Sequence, residues 1–162
     1  MTGLGRCRRA CCLGAAALLL TSPAIHVSHA QTPQTQAIGV HNAQRAWQNW
    51  TLNCQGCHRP DGNGSAGTTP SVAGSVAKFL LAPQGREYLA RVPGVATSPL
   101  SDDDLAEVLN WMLWRFDAQD LPADFVPFSA AEVSDLRKRP LRLEASRMRN
   151  DLLAEAGAAA AP

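Results

Sequence analysis

The sequence predicts an all-α protein, and three observations carry that prediction. Residues 101–116 place Leu105, Val108, Leu109, Met112 and Phe116 at i, i+3, i+4, i+7 and i+11, the stripe of a helix buried along one side. Residues 41–54 show similar spacing in Ala43, Ala46, Trp47 and Trp50. No stretch alternates β-branched strands with helices, as a βαβ fold would require.

Taken in order, the first thirty residues read as an export signal. Arg6, Arg8 and Arg9 are followed by an apolar run from Leu13 to Leu20, then Pro23 and the small residues Ser28-His29-Ala30. The run is shorter than the roughly 20 apolar residues that span a bilayer, so membrane contact is expected only during export. A retained anchor is the rival reading. Three of the five cysteines, Cys7, Cys11 and Cys12, lie in this segment, leaving Cys54 and Cys57. The remaining chain, about 130 residues long, suits one domain. It is slightly acidic, because three of the 15 bases and none of the 14 acids fall in the first thirty residues. Nothing in that balance points to nucleic acid.

Residues 31–39 are polar, with Pro33 and Gly39, and read as a flexible lead-in. The first helix follows, with its tryptophans expected in the core. His41 at its start is expected to be a solvated helix-end residue. The helix runs into Cys54-Gln55-Gly56-Cys57-His58, the C-x-x-C-H pattern for covalent haem attachment. The spacing has a chemical reason. Two thiols one helical turn apart can reach two vinyl groups on one porphyrin edge, and the next imidazole then falls beneath the iron. Three rivals are weaker. A closed zinc site needs four ligands, and no Cys or His follows residue 58. A redox dithiol wants a strand-to-helix junction. A disulfide across C-x-x-C would staple very little chain.

Residues 49–64, from Asn49 through the motif to Asp61-Gly62-Asn63-Gly64, resemble the haem-attachment region of small bacterial class I c-type cytochromes. The resemblance is specific over about 40–75 and looser to 116. It implies a cytochrome c-like helical domain around one haem c, with thioethers at Cys54 and Cys57 and His58 as proximal iron ligand. It implies that Pro70, in the Gly-rich loop 59–75, lends its carbonyl to the His58 ring. It also implies an electron carrier rather than an enzyme. The implied site is the periplasm and the implied partners are redox proteins, a dehydrogenase or an oxidase chain.

Short helices are expected over about 73–81 and 84–91. Arg86, Tyr88 and Arg91 are candidates to meet a haem propionate, with surface charge as the default for each Arg. Residues 92–100 then depart from the family. They hold neither Met nor His where class I members usually carry the methionine that binds iron. Met112, on the buried stripe of 101–116, is the candidate distal ligand, with core packing as its alternative reading. Met148 is a weaker candidate. If neither binds, the iron is open to small ligands.

The haem domain is therefore placed at 40–116. A C-terminal extension, 117–162, is expected to pack on it with a frayed tail. Residues 117–128 read as an apolar strap, Ser129–Glu132 as a capping box, and 141–155 as a final helix after Pro140. Six bases and one acid lie within 137–149, read as a solvated face or a docking patch for an acidic partner. The leading function is single-haem electron transfer. The alternatives are a haem module with an open distal site and an electron-entry subunit of a larger dehydrogenase complex.

Overall fold

The computed structural model describes residues 38–159; the expected export signal, most of the lead-in and residues 160–162 lie outside them. Among the described residues the regular structure is helical, apart from one isolated bridge between Ser65 and Thr69. The expected all-α class is the observed one. No described helix is long and apolar enough to cross a membrane.

Helix α1 (Ala43–Asn53) begins at Asn42, whose side chain accepts from the Arg45 N–H at 2.9 Å and so satisfies a first-turn donor. Ala46 and Trp50 face inward. Trp47 was expected beside them, yet it is 49% exposed. Only one long helix crosses α1, so only a narrow stripe is covered. The motif forms a single turn, α2 (Gln55–His58).

Beyond the loop come a 3-10 turn (Ala77–Leu81), α3 (Gly85–Arg91) and α4 (Pro93–Ala96). α4 was not expected, because Pro-Gly reads as loop; here Pro93 takes the first helical position, where its missing N–H costs nothing.

The long helix α5 (Asp102–Asp117) crosses α1. Its cap is built as the sequence suggests. Ser101 Oγ accepts from the Asp104 N–H at 3.1 Å, and the hydroxyl donates to Asp104 Oδ2 at 2.9 Å. Leu105, Val108, Leu109 and Met112 are buried, each such side chain contributing about 1.5–3 kcal/mol. Buried Glu107 ties α5 to the start of α1. It accepts the His41 and Asn42 N–H groups at 2.8 and 2.7 Å and pairs with Arg45.

The chain after α5 returns across the core. Asn110 fixes this strap by holding both backbone groups of Phe128, accepting N–H at 2.8 Å and donating to the carbonyl at 3.0 Å. Helix α6 (Ala130–Leu136) packs on α5. Ser129 caps it, but the Glu132 carboxylate pairs with Arg86 instead of turning back to complete the box. Helix α7 (Ala145–Ala159) packs on the 3-10 turn and on α3. It starts later than expected, since Leu141 is drawn into an N–H···O bond with Arg91 at 2.8 Å, and it continues past 155.

Candidate functional site

A cavity of about 450 Å³ opens beside the motif. Cys54, Cys57 and His58 line it, and α1 delivers them: the Cys54 and His58 amides continue the helical hydrogen bonding. After His58 the chain must turn sharply. Arg59 takes φ 67°, and Gly62 and Gly64 follow at φ 75° and 67°. Gly64 lets the returning backbone come close. A Cβ there would stand 2.3 Å from the Thr69 carbonyl oxygen and 2.7 Å from that of Pro70.

That approach sets the imidazole. His58 Nδ1 lies 3.2 Å from the Pro70 carbonyl oxygen. A carbonyl only accepts, so Nδ1 carries the proton and Nε2 keeps its lone pair. Burial pushes the ring's pKa down, opposed by the Pro70 bond, so the imidazole is neutral near pH 7. The Trp50 ring lies behind it at 5.8 Å between centroids. Phe116 at 4.8 Å and Trp111 at 6.0 Å back Trp50 in turn. Burial, with a smaller push from Cys57, raises the Cys54 thiol to about 11. That is the opposite of what a redox dithiol needs, where a low pKa supplies the attacking thiolate.

The rest of the wall is largely apolar. Val72, Val76, Phe79, Leu89, Leu105 and Leu109 contribute to it, and Met112 lies among them. Met148 packs against the core but does not line the cavity. The segment 92–98 borders the hollow through Val92, Pro93, Gly94, Val95 and Ser98, so the Met-free stretch does reach the site.

The two arginine candidates for a propionate do not reach the cavity. Arg86 is engaged by Glu132 and by the Val126 and Pro127 carbonyls, and Arg91 by the Arg139 carbonyl; neither lines the cavity. Tyr88 does line it, stacked on Phe79 at 4.9 Å. Arg142 and Arg149, read from sequence as part of a solvated basic run, also line it. Nothing in the local sequence marks them, because their place depends on the strap bringing the last helix back.

The residues fit a covalently held haem. Two thiols and a neutral imidazole with a free Nε2 stand at the edge of a deep apolar hollow. No protein-family model matches the chain. It is 35% identical over 106 residues to a cytochrome c-552 from Thermus thermophilus, a match covering 54% of this chain and 81% of the relative. A second cytochrome c-552 from the same species is 35% identical over 106 residues, again 54% of this chain, with 72% of the relative covered.

Proposed function

The chain belongs to the class I c-type cytochromes, proteins that carry covalent haem c and transfer electrons, and from that premise we propose that it is a single-haem periplasmic carrier working between a dehydrogenase and a downstream acceptor. When bound, the haem supplies an iron that cycles between two oxidation states. Cys54 and Cys57 are the proposed thioether positions and His58 the proposed axial ligand. Pro70 holds the imidazole in one tautomer and one orientation, which favours the Nε2 lone pair as the donor. The aromatic group behind Trp50 limits the ring's movement, and the apolar wall excludes water. Exposed Cys57 marks the edge at which a redox partner would meet the cofactor. The observation that carries the reading is the 3.2 Å His58–Pro70 contact beside two unpaired thiols at one cavity. Export through the N-terminal segment completes the proposal.

A second reading rests on the 92–98 border. That border offers no methionine or histidine, so Met112 is the candidate for the sixth ligand position; without its sulfur the iron is open to small molecules. Carbon monoxide added to the reduced protein separates the readings. Slow or absent binding, with a sulfur-to-iron charge-transfer band lost in Met112→Ala, supports a saturated electron carrier. Rapid, complete binding assigns the open site and sets the carrier reading aside.

A further inference from the structure

Arg142 precedes α7, and Ala145, Ser146 and Arg149 follow it; all four line the cavity. A helix face laid against an apolar hollow is ordinarily apolar. α7 does supply such residues, Leu152 and Ala156, but packs them into the core. Toward the cavity it turns a small residue, a hydroxyl and a guanidinium. Arg149 is half-buried, with its guanidinium 5.7 Å from the Phe79 ring centre. Arg142 is exposed at the rim.

Two other arginines of the basic run are engaged, while Arg147 faces solvent. Arg137 donates to the Ala96, Ser98 and Leu100 carbonyls and to Asp102, and Arg139 pairs with Asp135. The side chains of Arg142 and Arg149 make no hydrogen bond or ion pair among the described residues. Among the described residues no Asp, Glu or Lys lines the cavity, and these two are its only formally charged side chains there. The half-buried Arg149 guanidinium, beside apolar walls with no counter-charge, is poorly compensated, and the planar fork of both arginines matches a carboxylate. Haem c brings two carboxylates, its propionates.

We propose that Arg142 and Arg149 bind the two haem propionates, so that the C-terminal segment is a clasp that closes on the cofactor. This rests on the reading that haem is attached at the motif. The clasp ties α7 to cofactor loading. It also assigns part of the basic run a task inside the molecule rather than at a partner's surface. With the propionates neutralised, the iron feels less negative charge, and its reduced state is favoured.

The test uses the full-length holoprotein as wild type, Arg142→Gln/Arg149→Gln, and Arg142→Lys/Arg149→Lys, with haem content of each checked by intact mass. In the Gln pair the clasp predicts a lower midpoint potential. It also predicts amide exchange across α7 on the order of tenfold faster. The Lys pair should recover the potential more fully than the exchange, because it restores charge without the fork. If the Gln variant does not load haem, the Lys pair against wild type decides: slower α7 exchange in wild type supports the clasp, and equal exchange overturns it. Loaded variants with potential and exchange both at wild-type values overturn the clasp while leaving attachment intact. An unchanged potential with weakened azide binding to the oxidised protein also overturns it, assigning the guanidiniums to an anion at the iron. A wild type whose mass lacks haem overturns attachment, and the clasp with it.

Discussion

The wall that carries His58 is written in consecutive residues, 54–70, whereas the remainder of the cavity draws on 92–98, Met112 and 142–149. In the first wall the geometry is local. A helix end, a left-handed turn and a glycine that admits a neighbouring carbonyl orient the imidazole, and only its aromatic backing, Trp111 and Phe116 behind Trp50, comes from far along the chain. In the second, contacts spanning tens of residues do the work: Arg137 gathers the 96–100 backbone, and Asn110 pins the strap. A local wall can be read as a motif. A long-range wall becomes legible only once the chain has folded back.

The strongest way to break the comparison is at the thiols. Cys54→Ser/Cys57→Ser should lose covalent haem completely, measured as denaturation-resistant haem on the polypeptide. Retained attachment would mean that the local wall is not the anchor.

Next is the glycine that admits the carbonyl. Gly64→Ala should cost roughly 2–4 kcal/mol, combining a strained left-handed residue with a backbone collision. Gly74, also at positive φ (62°), has open space around its Cβ position, so Gly74→Ala should cost only about 1–2 kcal/mol. Thermal unfolding of both variants checks the gap; equal losses would show that strain alone matters. Gly64→Ala should also shift the reduction potential, because Pro70 must move away from His58.

On the long-range wall, Arg137→Ala should cost about 2–3 kcal/mol, since it removes one charged pair and leaves carbonyls short of a donor. Denaturant unfolding gives the loss, and hydrogen exchange should localise it to 96–100. An effect spread evenly over the molecule would contradict the assignment.

A smaller, pH-dependent effect sits behind the same wall. Asp117 is buried and accepts the Ala77 N–H at 2.8 Å, starting the turn that carries Phe79. Burial pushes its carboxyl up to about 6 from 3.8, the Ala77 bond opposes the shift, and Asp120 adds to it. The folded state therefore holds this proton more tightly than the unfolded one. The resulting stability is fully present below 3.8 and is lost as pH rises through about 6, at most about 3 kcal/mol at 1.4 per unit. Asp117→Asn cannot ionise and keeps an acceptor for Ala77. Urea unfolding between pH 4 and 7 should show this component in the wild type and not in the variant. The same slope in both would remove Asp117 from the account.

The smallest expected loss of fold stability is for Met112→Leu, a swap that roughly conserves volume and, where the sulfur only packs, should cost less than about 1.5 kcal/mol in thermal unfolding. A larger loss, together with loss of the sulfur-to-iron band, would mark the sulfur as a ligand.

The contrast between the walls also explains what the sequence made legible. The α5 stripe and its Ser101 cap depend on spacing within one helix. The His58–Pro70 contact follows from a local turn, and the family resemblance pointed to it. Trp47 sits on the same predicted stripe as Trp50 but finds no helix to cover it. Glu107 and Asn110 look like solvent-facing polar positions on α5. Their partners lie 65 and 18 residues away at Asn42 and Phe128, and no local pattern marks such pairs. Arg142 and Arg149 were indistinguishable in sequence from Lys138 and Arg147, because only the return of the strap separates the cavity from solvent.

The central claim is that Cys54 and Cys57 hold a haem whose iron rests on His58. Its most direct test is the intact mass of the purified chain, made in a host with working haem-attachment machinery. The account predicts the polypeptide plus one haem, surviving acid and organic solvent. A mass equal to the bare polypeptide, with both thiols still open to alkylation, would contradict it.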